Sequence, residues 1–136
     1  MAAIYFTVKS EKKEVLIFLS DLKNLLESES FDITRDIVLI CSNKPDDKLH
    51  STPYTLLDLE YETQDVIDRL KELTIKEYSE TKFDNDDSDP PLLYVFGKMI
   101  NNKLVYIKLK IRNNKRKCVI CISFHYARDK MDFPYA

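Results

Sequence analysis

KLVYIKLKIR, residues 103–112, alternates apolar and polar side chains along its length. Successive side chains of a β-strand point to opposite faces of a sheet. Val105, Ile107, Leu109 and Ile111 therefore form a stripe for a core, while Tyr106, Lys108, Lys110 and Arg112 stand on the other face. The flanking segments 92–99 and 117–125 are rich in β-branched and aromatic residues and predict two more strands. Asn101-Asn102 supplies a two-residue hairpin turn, because asparagine tolerates positive φ. Residues 113–116 make the second turn. Apolar pairing then selects the register, with Ile111 opposite Cys118, Leu109 opposite Ile120, Ile107 opposite Ile122 and Val105 opposite Phe124. Tyr106 would face Ser123, Lys108 would face Cys121, and His125 would lie near Leu104. Across the first hairpin, Phe96 faces Ile107 and Gly97 faces Tyr106. Gly97 is the only glycine in the chain. A glycine inside a strand marks either a β-bulge or a place that something approaches closely.

Charge is divided sharply along the chain. Residues 96–136 hold ten Lys/Arg against two Asp/Glu, a net +8, and residues 1–95 hold eleven against twenty-one, a net −10. The whole sums to −2. A row of cations with a phenol on a rigid sheet face suits a polyanion, and RNA is the leading candidate. A chain of 136 residues, 44% apolar, is long enough for one domain, 1–136, with one core. With one glycine, no glycine-rich phosphate loop or dinucleotide fingerprint can form, which removes most nucleotide-cofactor enzymes. No apolar run has the length of a membrane span, and the first residues lack the pattern of a secretory signal. Three cysteines, too few for a disulfide framework, fit a reducing cytoplasm. No membrane partner and no cofactor is expected.

The acidic part predicts helices. Ser10 can cap a helix running to about Glu27, with Val15, Leu16, Leu19, Leu22 and Leu26 as its buried stripe. Residues 31–42 read as a strand and 42–51 as a polar loop. Thr52-Pro53 opens a short helix, and Thr63 can cap another. Thr74 and Glu77 have the spacing of a capping box. The expected fold class is α+β: a twisted antiparallel sheet of three C-terminal strands plus one or more others, packed against N-terminal helices.

Two motifs invite metal chemistry and then decline it. Cys118 and Cys121 spell C-x-x-C, but residues three apart on a strand point to opposite faces, so small buried hydrophobes are the better reading. DNDDSD, residues 84–89, starts like a calcium loop but lacks the glycine at its sixth place and has Val95 where the twelfth-place glutamate belongs. A solvated acidic loop is expected there, and no metal site anywhere.

Metal-free RNA cleavage needs a base for the 2′-OH proton, cations for the charged phosphorane and an acid for the leaving oxygen. Tyr106, Lys108, Lys110, Arg112, Ser123 and His125 could provide these, and the same face could equally be a non-catalytic binding surface. The runs LLYVFGKMINNKLVYIKLKI and VICISFHYA, with the upstream TLLDLEYETQDVIDRLKELTIKEYSE, resemble MqsR-type toxins, which are bacterial RelE-like mRNA interferases held by cognate antitoxins. The resemblance covers about residues 52–127. It implies a RelE-like α+β fold, metal-independent cleavage of single-stranded mRNA by 2′-OH attack, and an antitoxin protein as partner. It implies catalytic roles for Tyr106 and His125, with His125 standing where the family has a lysine; Lys108, on the same strand face, is a third catalytic candidate. Phosphate binding would fall to Lys98, Lys110, Arg112, Ser123 and Arg128. The family's second lysine aligns with Glu80 and its glutamine with Val95, two departures that favour the rival reading, a non-catalytic RNA- or protein-binding domain.

Overall fold

The computed structural model describes residues 7–136. Its elements run β1 (Thr7–Val8), α1 (Lys12–Leu26), β2 (Ile37–Leu39), α2 (Thr52–Leu59), α3 (Thr63–Lys71), β3 (Tyr78–Phe83), β4 (Leu92–Ile100), β5 (Lys103–Asn113) and β6 (Lys117–Tyr126), with 3₁₀ turns at Lys48–His50 and Ile75–Glu77. The fold is α+β. The six strands form one sheet in the order β1-β3-β4-β5-β6-β2. The sheet is mixed, because β2 runs parallel to β6, with Ile37 beside Val119 and Leu39 beside Cys121. The purely antiparallel sheet expected from sequence is therefore corrected at this edge.

The β4–β5 hairpin forms as its sequence predicts. Asn101 and Asn102 take φ of 51° and 65°, and Phe96 pairs with Ile107 and Gly97 with Tyr106. The β5–β6 register differs from the apolar-pairing expectation. Ile111 faces Val119, Leu109 faces Cys121, Lys108 faces Ser123 and Tyr106 faces His125, with the pairing shifting between Lys108 and Leu109. One extra residue, Ile122, is accommodated there as a bulge. Turn geometry wins over side-chain matching near the loop, and the bulge then restores apolar pairing further along.

One face of the sheet carries the core. Val105, Ile107, Leu109, Phe96 and Phe124 are fully buried beneath α1 and α3, which contribute Val15, Phe18, Leu22, Leu26, Val66, Ile67 and Leu70. Phe18 stacks on Tyr94 with centroids 4.2 Å apart. It replaces Leu16, which is exposed, in the stripe expected of α1. Ser10 does not cap α1; Glu11 holds that position. Ser10 is buried instead, its hydroxyl 2.7 Å from Thr81 Oγ1 and its N–H donating to Tyr78 Oη at 2.9 Å. Glu62, not Thr63, caps α3, with its own N–H donating to Asp65 at 2.9 Å. The Thr74–Glu77 box forms, with the Thr74 N–H donating to Glu77 at 3.0 Å.

β2 is only three residues long, so it covers only part of the β6 edge. α2 satisfies the rest. Ser51 caps α2, leaving the Thr52 hydroxyl to accept from Phe124 N–H at 3.1 Å, while the Thr55 hydroxyl accepts from Tyr126 N–H at 3.0 Å. A helix thus closes hydrogen bonds that a strand would otherwise make. At the opposite end of β6, Arg116 forms a two-pronged ion pair with the buried Asp36, which holds the start of β2 to the β5–β6 turn.

The acidic loop 84–91 folds back over the sheet. Lys110 is 1% exposed, with Nζ 2.7 Å from Asp84 and donating to the carbonyls of Asp87 at 3.0 Å and Pro90 at 3.1 Å. All three ammonium donors are thereby used. The solvated loop expected from DNDDSD is in fact tied down. Lys110→Ala would leave the Asp84 carboxylate buried without its cation, and should lower the unfolding free energy by roughly 3–5 kcal/mol in a urea titration.

Candidate functional site

The face of the sheet away from the core forms the floor of a cleft of about 1010 Å³. Tyr106 and Lys108 of β5 and Ser123 and His125 of β6 line it, with Lys82 of β3 on one side. Residues 42–50 and the tail after β6 make the walls. The Tyr106 and His125 rings stack, with centroids 5.1 Å apart and planes at 15°. This pairing follows directly from the bulge, which puts the two residues opposite each other.

Both nitrogens of His125 are engaged. Nδ1 lies 2.9 Å from the Tyr126 carbonyl, and Nε2 lies 3.3 Å from Lys44 Nζ. The carbonyl can only accept and the ammonium can only donate, so the compatible form is neutral imidazole with its proton on Nδ1. Burial lowers the His125 pKa, the Tyr126 carbonyl resists this, and Lys44, Lys108 and His50 add to the lowering. Tyr106 is pushed upward by burial against the pull of Lys82, so its hydroxyl stays protonated. Lys108 is lowered by burial and then by Lys82 and Lys44. Burial pulls Lys82 down, but Tyr106 and Glu80 outweigh it and the net shift is upward. Lys82 Nζ lies 5.8 Å from the Tyr106 ring centre and 3.5 Å from Glu80.

The cleft also holds an acidic and imidazole group on the 42–50 wall. His50 Nδ1 lies 2.6 Å from Asp47 Oδ1, and Arg128 approaches Asp47 Oδ2 at 3.7 Å. The His50 contact lowers the Asp47 pKa against its burial, and Arg128 and Lys44 add to the effect.

Of the residues singled out from sequence, the cleft gathers Tyr106, Lys108, Ser123, His125 and Arg128. It does not gather Lys98, Lys110 or Arg112. Lys98 pairs with Val105 and so points to the core side, where it meets Glu77 at 3.2 Å and Glu72 at 3.8 Å. Lys110 shares the face of Tyr106 and Lys108 but is sealed by Asp84 and Asp87, and Arg112 is bound by Asp87. The row of four polar residues on β5 is thus cut to two in the cleft. Glu80 lies in the cleft wall, and Val95 is fully buried opposite Lys108. Cys118 and Cys121 point to opposite faces, and burial pushes the Cys121 thiol up to about 12. Among the described residues, no group of three His, Cys, Asp or Glu is placed to hold a metal ion. No helix among them is long and apolar enough to cross a membrane.

Lys44, Asp47, His50 and Lys82 were not legible as site residues. The first three sit in a polar segment with no periodicity, and Lys82 belongs to a strand the sequence reading left unassigned. Gly97 was legible: a Cβ there would come within 2.8 Å of Phe133 and 2.9 Å of Met131. The close approach is made by the chain's own tail, which Tyr135 anchors by donating to the Ser10 carbonyl at 2.6 Å and stacking on Tyr78. No family model, no curated protein and no solved structure matches this chain.

Two outcomes are expected. Gly97→Ala should push the tail off the sheet and cost about 1–3 kcal/mol by overpacking. Limited proteolysis should then cut the tail faster than in the wild type. His125 contributes stability that is fully present above its unfolded pKa of about 6.5 and lost as pH falls through its lower folded value. In His125→Gln, urea unfolding should show a smaller loss of stability between about pH 7 and pH 5 than in the wild type.

Proposed function

We propose that the cleft binds single-stranded RNA and cleaves it without a metal ion, by attack of the 2′-OH on the adjacent phosphorus. The observation that carries this reading is the Tyr106–His125 stack enclosed by Lys44, Lys82 and Lys108. Phosphorane formation places negative charge on the non-bridging oxygens, and preorganised cations beside it lower the barrier. A neutral imidazole is the form that can accept a proton, and His125 Nε2 would take the 2′-OH proton once Lys44 shifts to the phosphate. The protonated Tyr106 hydroxyl would donate to a non-bridging oxygen. The O2′–P bond forms, the P–O5′ bond breaks, and the products are a 2′,3′-cyclic phosphate and a 5′-OH that has gained a proton. Ser123 and Arg128 line the same cleft and would bind flanking phosphates.

In this reading the fold is RelE-like and the chain is an MqsR-type toxin of the cytoplasm, with a cognate antitoxin covering the cleft. Support comes from the sequence resemblance over residues 52–127 and from the α+β layout of helices on one sheet face and charge on the other. A second reading, a non-catalytic RNA- or protein-binding domain, draws on the same cleft. It is favoured by Glu80, whose carboxylate neutralises Lys82 at 3.5 Å.

The two readings separate in an assay on unstructured RNA with EDTA present. Under the first, the wild type cuts, His125→Ala slows cutting roughly 10²–10⁴-fold, and Tyr106→Phe slows it by a smaller factor. The acid limb of the pH–rate profile should fall below pH 6.5, because burial and Lys44 depress the His125 pKa. RNA bound but left intact would favour the second reading. Lys44, Lys82, Lys108 and Arg128 as phosphate contacts imply a log–log salt slope of roughly −3, at about −0.7 per contact for single strands. Lys108→Glu should weaken binding to all sequences alike, whereas Arg112→Glu, outside the cleft, should leave the slope nearly unchanged.

A further inference from the structure

The chain has two histidines, and both line the same cleft. Their surroundings are opposite. An imidazolium at His125 would face Lys44 and Lys108, whereas one at His50 has the Asp47 carboxylate 2.6 Å from Nδ1 as counter-ion. Lys44 ties the two together, with Nζ 3.1 Å from the His50 carbonyl and 3.3 Å from His125 Nε2. Asp47 accepts from Nδ1–H, and no described side chain hydrogen-bonds His50 Nε2. His50 also lines a second, smaller hollow with Tyr54, Lys103 and Tyr126, so it borders both.

We propose that His50 is the general acid of the cleavage reaction, with Asp47 as its positioning residue. The proposal rests on the RNA-cleaving reading of the cleft and completes its proton balance. His125 Nε2 gains the 2′-OH proton as O2′–P forms. His50 Nε2 gives its proton to O5′ as P–O5′ breaks, and the two imidazoles return to their starting forms by exchange with solvent. A pair of titratable groups in opposed environments is the arrangement that divides acid from base. Asp47 fixes the tautomer and the ring orientation, as a carboxylate behind a catalytic imidazole does.

The test is a cleavage assay with EDTA, using an unstructured RNA oligonucleotide and its counterpart with sulfur in place of the bridging 5′ oxygen. A thiolate leaves without needing a proton. His50→Ala should slow cleavage of the ordinary RNA roughly 10²–10⁴-fold but restore most of the rate on the sulfur substrate, whereas His125→Ala should be slow on both. Added imidazole should partly rescue His50→Ala. Asp47→Asn should slow cleavage of the ordinary RNA by a smaller factor and leave cleavage of the sulfur substrate nearly unchanged. Full activity of His50→Ala, or an equal loss on both substrates without imidazole rescue, would overturn the assignment while leaving the nuclease reading intact. A wild type that cuts neither substrate would overturn both.

Discussion

Ile122, the extra residue in β6, decides which side chains enter the cleft. The turn after β5 starts the pairing at Asn113 and Lys117. Continued without interruption, that register would set Phe124 opposite Tyr106, on the polar face, and would turn His125 into the core. The bulge reverses the alternation. Phe124 goes to the core, fully buried opposite Ile107, and His125 comes up against Tyr106. A single inserted residue therefore secures both a packed interior and the stacked pair on the opposite face. The hydroxyls of Thr52 and Thr55 hold this stretch of β6 in place by taking the N–H groups of Phe124 and Tyr126.

The division of charge along the sequence does not survive as a division in space. Lys98 meets Glu72 and Glu77, Lys110 meets Asp84, Arg112 meets Asp87 and Arg116 meets Asp36. Four cations of the basic third are thus matched with carboxylates from the acidic part. Asp36 and Asp87 are held down to about 2, chiefly by hydrogen bonds from Arg116 and Arg112. Folding removes these cations from the pool available to a ligand. The cleft keeps Lys108, Arg128 and Lys130 from the basic third and recruits Lys9, Lys44 and Lys82 from the acidic part. Net charge by segment pointed to the face that bears the cleft, but of the five cations it singled out only Lys108 and Arg128 line it.

Legibility from sequence followed the range of the forces involved. The β4–β5 hairpin, the Thr74–Glu77 box and the strand alternation are local, and each was readable from a few adjacent residues. Gly97 was readable as either a bulge or a site of close approach, and the tail at Phe133 and Met131 decides for the second. The bulge was not readable, since an unbroken register pairs Ile111, Leu109, Ile107 and Val105 with apolar partners as well as the bulged one does. Cys121 is fully buried, as a small hydrophobe would be, but it faces Leu109 and not Lys108, because the turn starts the pairing one residue from the expected register. Ser10 looked like a cap, but Tyr78 and Thr81, some seventy residues away, claim it instead. Lys44, Asp47 and His50 sit in a stretch whose only local signal is polarity. Their convergence depends on where α2 docks, a long-range event without a sequence signature.

The parallel pairing of β2 with β6 also has a consequence for the order of events during synthesis. β2 is complete by residue 39, but its partner begins near residue 117. The cleft draws its walls from residues 7–9, 42–50, 79–82 and 128–132 as well as its floor from β5 and β6. Contacts of such separation form late, because the intervening chain must be closed into a loop first. A growing chain can form α1, α2 and α3 while the residues that would act together are still far apart. The cleft is therefore complete only once the segment 128–132 has left the ribosome and folded back beside residues 7–9 and 42–50.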